Sequence, residues 1–310
     1  MIKLEHVVLA SPEQMEFIIE GMRNSKNSWE KSDSVVIRDG EYYDINGNCG
    51  PAPGAEREGT FELGDNDHSL MQRLSNAGTE HRKYMQMTPV YVRITAPLYW
   101  WKEFDTYKVG TVSNSCSTMH TIAEKEFKLE DFSTEHLYFD DNKPILAEEW
   151  GNYRIDGNGH ICLTINLLNY WRKKYLNTKS KEDWWQLIQL LPSSYNQTRN
   201  IMLNYEVLAN IYRQRKNHKL DEWREFCKWI ETLPYSELIT GLSIGSDQSI
   251  EEKRFTQPFP WNKDDVYCDN CEHFHDCLNK GGLADVTTGN DITKDRYINK
   301  PGYDCPKEKE

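Results

Sequence analysis

Two rhythms of apolar positions run along the chain. IKLEHVVLA, near the start, alternates β-branched and polar residues and predicts a strand. SPEQMEFIIEGMRNS switches to helical spacing, with Ser11 as N-cap and Pro12 as the first helical residue. Residues 38–66 lose both rhythms: DG and INGNCGPAPG are turn formers, and the stretch reads as a hairpin or a long loop. Its DINGN lacks the EF-hand spacing and reads as a turn. DNDHSLMQRLSNAG predicts a capped helix that stops at Gly78. In PVYVRITAPLYWWKEF, Val90, Val92 and Ile94 alternate as in a strand, and a helix is expected after Pro97. NYRIDGNGHICLTI predicts a hairpin about Asp156-Gly157.

From about residue 163 to 240 the spacing is helical. KEDWWQLIQLLP ends at Pro192. QTRNIMLNYEVLANIYRQR is read as one helix with Ile201, Tyr205, Leu208 and Tyr212 on a single face. KLDEWREFCKWIETLP carries Leu220, Trp223, Cys227 and Ile230 in the same way. Such stripes are read as core packing. The pattern divides the chain into a domain over 1–240, a linker over 241–262 and a tail over 263–310. No internal repeat interrupts it.

Composition sharpens this picture. The chain has 310 residues, of which 38% are hydrophobic, so a sizeable core must sit under a polar surface. Ten Trp and seventeen Tyr carry much of the burial. No run of about 18 apolar residues predicts a membrane span, and no apolar leader is visible, so a cytoplasmic protein is expected. A net charge of −12 argues against nucleic-acid binding, which needs clustered cations. A small anionic ligand needs only a few placed donors.

Four of the eight cysteines, Cys268, Cys271, Cys277 and Cys305, fall in the tail. Cys-x2-Cys lets two thiolates grip one ion from a tight turn, and four sulfurs meet the tetrahedral demand of structural zinc. His273 and His275 are spare ligands. Reduced thiols and an iron–sulfur cluster are the rival readings.

EFDTYKVGTVSNSCSTMH, from Glu103 to His120, gathers small donors and acceptors directly after an aromatic run. Taken alone it reads as an ordinary polar loop; with the two blocks of matches that follow it reads as the lining of a pocket for a planar polar ligand, with the aromatics as its wall. Cys116 is read as a small buried thiol, with a nucleophile as the rival role. The segment resembles a degenerate copy of the signature of the flavin-dependent thymidylate synthases. That family places Ala-Pro nine residues ahead of an Arg-His-Arg triplet, and a short loop then leads to N-E-x-S-x-R-Y. Here Ala96-Pro97 precede Thr106-Tyr107-Lys108, and NSCSTMH stands at the loop. A second block agrees: Leu191-Pro192, then Asn204, Leu208, Asn210, Arg215 and His218, close to the family's spacing. Thr198 echoes a family threonine, and Glu80-His81 stand for its Glu-His pair.

The resemblance implies an α/β (α+β) catalytic domain, a mixed sheet flanked by long helices, to which this chain adds a small Cys-rich C-terminal extension. It implies a homotetramer with active sites where subunits meet. It implies methylene transfer from methylenetetrahydrofolate to C5 of dUMP, a hydride from reduced FAD, and NADPH as reductant. Carried over by position, His81, Tyr107, Lys108, Asn204 and Asn210 would contact the flavin. Glu103, Asn114, Ser115, Ser117 and Arg215 would contact the nucleotide, with Arg215 facing the pyrimidine and stabilising negative charge on the ring.

The departures fall on the cations. Thr106 and Tyr107 replace the first Arg and the His of the triplet, and Glu103 replaces the Gln before it. Ser115 stands for the loop Glu, and Met119 and His120 for its closing Arg and Tyr. Ile188 and Glu206 replace two further arginines. Each lost charge-assisted bond is worth about 1.5–3 kcal/mol. Arg199, Arg213 and Lys216 are candidate substitutes. Two other readings stay open: a non-catalytic nucleotide- or partner-binding member of the same fold, and a flavoenzyme acting on another pyrimidine nucleotide.

Overall fold

A computed structural model describes residues 2–52, 59–137 and 157–241, together with short strands at 255–256, 283–285 and 297–299. Strand β1 (Lys3–Leu9) leads into helix α1 (Pro12–Asn24). Ser11 caps that helix in a reciprocal capping box with Gln14, as the Ser-Pro start predicts. Of the two readings for 38–66, the described residues take the hairpin: β2 (Val35–Arg38), β3 (Glu41–Asp44), β4 (Cys49–Pro51) and β5 (Thr60–Glu62) pair antiparallel. Helix α2 (Asp65–Asn76) follows, and Gly78 turns the chain at φ +125°. Fully buried Asp67 ties α2 to α1 and to the residue before β2, accepting from Arg23 Nε at 2.7 Å and from Ser34 Oγ at 2.6 Å.

Helix α3 (Lys83–Met87) precedes β6 (Pro89–Pro97), and α4 (Leu98–Phe104) starts directly after Pro97. Then come β7 (Val112–Ser115), α5 (Thr118–Thr121), α6 (Gly157–Thr178) and α7 (Lys181–Leu190). Strand β8 (Asn196–Asn204), α8 (Tyr205–Arg215), α9 (Asp221–Glu231), α10 (Glu237–Thr240) and β9 (Phe255–Thr256) complete the first compact unit, Met1–Gln257. In the second, Pro258–Glu310, β10 (Leu283–Asp285) pairs with β11 (Tyr297–Asn299). Cys268, Cys271, Cys277 and Cys305 lie outside the described residues.

The chain is α/β, built of helices and antiparallel sheets. The main sheet has the order β1-β6-β8-β7, and β9 joins the hairpin strands in the order β4-β3-β2-β5-β9. The expected mixed sheet is corrected: every described pairing is antiparallel. Strand β6 alternates cleanly, burying Val90, Val92 and Ile94 and exposing Tyr91 and Arg93. Helices α1, α4, α8 and α9 pack Met15, Trp100, Leu208 and Trp223 into the same core as those three residues. A smaller core gathers Ile122, Phe127, Phe132, Ile161, Leu168 and Leu187 from α6, α7 and the chain that follows α5.

Two expectations from periodicity fail. The segment 196–204 is a strand, not the first half of a helix, because it hydrogen-bonds to β6 over Pro89↔Asn204 to Pro97↔Asn196 and to β7 on its other edge. Pairing on both sides outweighs a helical pattern that Ile201 shares with Tyr205 by coincidence of spacing. Gly157 opens a 22-residue helix rather than the second arm of a hairpin. There Ile161, Ile165 and Leu168 face the smaller core at helical spacing, which the β-branched residues had disguised.

Candidate functional site

Helix α8 joins the two ends of the candidate site. Asn204 is its N-cap, with Oδ1 accepting from Val207 N at 3.0 Å. Arg215 closes the same helix, eleven residues on. Eleven residues make three turns plus about 20°, so both lie on one face roughly 16 Å apart. The Nδ2 of Asn204 faces Gly110, where an added Cβ would lie 3.0 Å from it. Gly110 also has φ +76°, so both the backbone and the close approach call for glycine.

At the Arg215 end a network spans three elements. Arg215 Nε donates to Tyr107 Oη at 2.8 Å, and its NH1 nitrogen donates to Glu103 Oε2 at 2.8 Å. Tyr107 Oη donates to Gln214 Oε1 at 2.9 Å, and Gln214 Nε2 donates to Asn210 Oδ1 at 2.9 Å. Trp223 Nε1 donates to the same Glu103 oxygen at 2.9 Å. His218 Nδ1 accepts from Leu220 N at 3.2 Å, so the neutral ring carries its proton on Nε2, which lies 3.5 Å from Glu103 Oε2. The guanidinium lies over the Trp223 ring at 4.9 Å and the Tyr107 ring at 5.7 Å. Core packing holds these groups: Trp223 is fully buried against Trp100 and Phe104, and Tyr107 is 9% exposed. Helix α4 therefore aims Glu103 outward from an aromatic root.

The Ser115 end differs. Asn114 and Ser115 lie exposed on edge strand β7, opposite Asn200 and Arg199. Ser117 caps the four-residue α5 through His120 N. Ser115, Cys116, Ser117, Thr118 and His120, with Leu98, Leu191 and Gln197, line an open groove of about 350 Å³. Gln197 Nε2 bonds Thr118 Oγ1 at 2.8 Å, which pins the groove floor to β8. Arg199 lies against the Trp101 ring at 4.2 Å and donates to Asp105 Oδ1 at 2.7 Å. The expected aromatic wall is corrected: Trp100, Trp101 and Phe104 turn into the core, and of the aromatic run only Leu98 reaches the groove. Cys116 is exposed rather than buried.

The structure thus brings together Glu103, Tyr107, Asn210 and Arg215, and separately Ser115 with Ser117. Asn204 joins the first set through α8. His81 is exposed and lies 3.6 Å from Glu80, with no bond to the network among the described residues. Lys108 is exposed just beyond α4. Thr106-Tyr107-Lys108 lie past that helix rather than on it, because α4 ends at Phe104. Gln214 and Trp223 were missed as site residues. Trp223 sat in a core stripe, yet a buried indole N–H demands an acceptor, and that demand was the available signal. Among the described residues no group of His, Cys, Asp and Glu is arranged to hold a metal, and no helix is long and apolar enough to cross a membrane.

In the unit Met1–Gln257, two antiparallel sheets with helices packed against them define the structural class. Within it, the chain is similar to Thymidylate Synthase X (ThyX) from Helicobacter pylori with FAD and dUMP, at 17% identity and a TM-score of 0.46, covering 76% of this chain and 94% of that one. A second structure of the Helicobacter pylori enzyme, complexed with FAD and dUMP, gives 17% and 0.45 over 76% and 95%. The UMP/dUMP methylase PolB from Streptomyces cacaoi, bound with 5-Br UMP, gives 12% and 0.43 over 75% and 88%. At these values the likeness assigns no residue a role. No protein-family model and no curated protein matches the chain.

Proposed function

We propose that the protein is a diverged flavin-dependent enzyme of the thymidylate synthase type, acting on a uridylate. The supporting observation is a convergence. Glu103 and Tyr107 come from one motif block and Asn210 and Arg215 from another, 112 residues apart at Glu103 and Arg215, and they form one bonded network. Two of these residues, Glu103 and Tyr107, replace the family's own, so what converges is the positions of two motif blocks.

The residues present suit a flavin. Its ring carries carbonyl acceptors along one edge, and Asn204 carries an amide N–H2 at the start of α8, packed against Gly110. Asn210, Tyr107 and Lys108 would extend that surface, with His81 as an outlying contact. When bound and reduced, FAD would supply the hydride, with methylenetetrahydrofolate as carbon donor and NADPH as reductant. Arg215 would orient the pyrimidine and oppose negative charge on it, held in place by Tyr107 and Trp223. Asn114, Ser115 and Ser117 would donate to ligand oxygens, with Arg199 as the nearby cation.

A homotetramer in the cytoplasm, with structural zinc on Cys268, Cys271, Cys277 and Cys305, completes this reading. The zinc assignment rests on cysteine spacing alone. Metal analysis of the Cys271→Ser protein tests it, and an unchanged zinc content removes it.

The second reading, a nucleotide- or partner-binding protein without turnover, is favoured by one observation: Arg215 is already paired with a carboxylate. An absorption spectrum with added FAD, followed by a dUMP titration, tests the first reading. Bound flavin whose spectrum shifts with dUMP supports it. No flavin uptake with FAD in excess removes it. Thymidine-independent growth of a strain lacking thymidylate synthase separates turnover from binding alone.

A further inference from the structure

We propose that Glu103 is a specificity-determining residue: an internal counter-ion that occupies Arg215 and sets how strongly the site takes an anionic ligand. The inference deepens the proposed function and rests on that reading for its ligand. It does not rest on it for the state of Arg215.

The argument is geometric. Glu103 Oε2 sits where three donors meet: the NH1 group of Arg215 at 2.8 Å, Trp223 Nε1 at 2.9 Å and His218 Nε2 at 3.5 Å. A surface ion pair would exchange partners freely, since two mobile side chains gain little from one geometry. This pair is different. Trp223 is fully buried and fixes the carboxylate from below. Arg215 is only 20% exposed in its side chain, and two aromatic rings hold its guanidinium while Tyr107 takes Nε. The cation is thus preorganised towards its own carboxylate.

An anion approaching Arg215 therefore meets a carboxylate less than 3 Å from the guanidinium. It must either displace Glu103, which leaves Trp223 N–H without its acceptor, or bind against a charge of its own sign. A neutral polar edge meets neither obstacle. Glu103 so biases the site against anions and towards ligands that bring neutral donors and acceptors to Arg215.

Glu103→Gln keeps an oxygen acceptor for Trp223 and removes the charge. Two readouts are compared in the full-length protein. The first needs no ligand: the rate at which phenylglyoxal modifies Arg215, followed by mass spectrometry. The second is the affinity for dUMP against that for uncharged deoxyuridine, by calorimetry at low salt, which reads the approach of the phosphate rather than of the pyrimidine to Arg215. Glu103→Ala repeats both in case the glutamine variant re-forms the same bonds, and Glu5→Gln, at a half-buried β1 position paired with Lys3 and Arg93, controls for net charge.

Glu103→Gln is expected to speed Arg215 modification about tenfold. It should tighten dUMP about tenfold while deoxyuridine changes less than about threefold, tenfold being 1.4 kcal/mol. Modification rates at Arg215 that stay equal in wild type and both Glu103 variants overturn the proposal, whatever binds. Faster modification with no dUMP binding by any variant supports the counter-ion and removes the uridylate reading. Equal tightening of dUMP by Glu5→Gln overturns the proposal in favour of a general charge effect.

Discussion

The main core and the smaller core carry opposite kinds of candidate site. The Arg215 network grows out of the main core: Trp223, Phe104 and Leu208 are buried beneath it, and each polar group ends on a named partner. The groove at Ser115–His120 leans on the smaller core through α5, whose next residues, Ile122 and Ala123, are buried there. Ser115, Ser117 and His120 are exposed, and strand β7 has a neighbour on one side only among the described residues. The first region is preorganised and internally satisfied, whereas the second has donors to spare. A ligand bridging them would be positioned by the first and would draw most of its new hydrogen bonds from the second.

The strongest way to break that contrast is at Trp223. Trp223→Ala is expected to cost about 3–5 kcal/mol in chemical denaturation, as for other large core truncations. A loss below about 1 kcal/mol would mean that the network is not rooted in the core. Trp223→Phe should cost about 1–2 kcal/mol, because Glu103 loses a donor while most of the packing stays.

Asn204 separates architecture from binding. Asn204→Ala should lower stability by about 1–2 kcal/mol through the lost cap. Asn204→Asp keeps the cap oxygen and should recover that stability. It lacks the amide N–H2, however, so under the proposed function flavin retention should fall in both variants, read as bound absorbance after gel filtration. Retention restored by aspartate would reduce Asn204 to a cap.

Tyr107→Phe should cost about 1 kcal/mol, since the hydroxyl bridges Gln214 and Arg215. Thermal melts against wild type check it, and no change would show the bridge to be decorative.

The smaller core has its own fastening, in which Asp183 accepts from Thr178 Oγ1 at 2.6 Å and pairs with Lys174 at 3.0 Å. The Thr178 hydrogen bond first, and then Lys174, hold the Asp183 carboxyl below its ordinary pKa. A folded-state pKa below the unfolded one adds stability that is present above the unfolded value and lost as pH falls through the folded one. The gap in melting temperature between wild type and Asp183→Asn should therefore be flat at neutral pH and close as pH drops below about 4. A gap that widens in acid would refute the assignment.

Smallest of all, Ser115→Ala should change stability by less than about 0.5 kcal/mol, because the side chain is exposed. It should still weaken phosphate-bearing ligands if the groove takes them. A clear loss of stability would instead place Ser115 among the structural residues.

Much of the fold was legible where local pattern and burial agree. Alternation over Lys3–Leu9 and Val90–Ile94 fitted half-buried strands, and the Ser-Pro start and the Trp223–Cys227–Ile230 stripe fitted helices. Single residues also carried backbone information, as at Gly78 and Pro97. The sequence by itself therefore determined the local elements, whose signals lie within one or two turns or one strand length. Tertiary structure alone decided that 196–204 is a strand, because hydrogen bonds to β6 and β7 come from residues about a hundred positions away. It decided that the aromatic run builds the core and not a pocket wall. It also decided that Glu103 and Arg215 neutralise one another: a motif records which residues are present, but charge is felt through space, and only folding sets that distance.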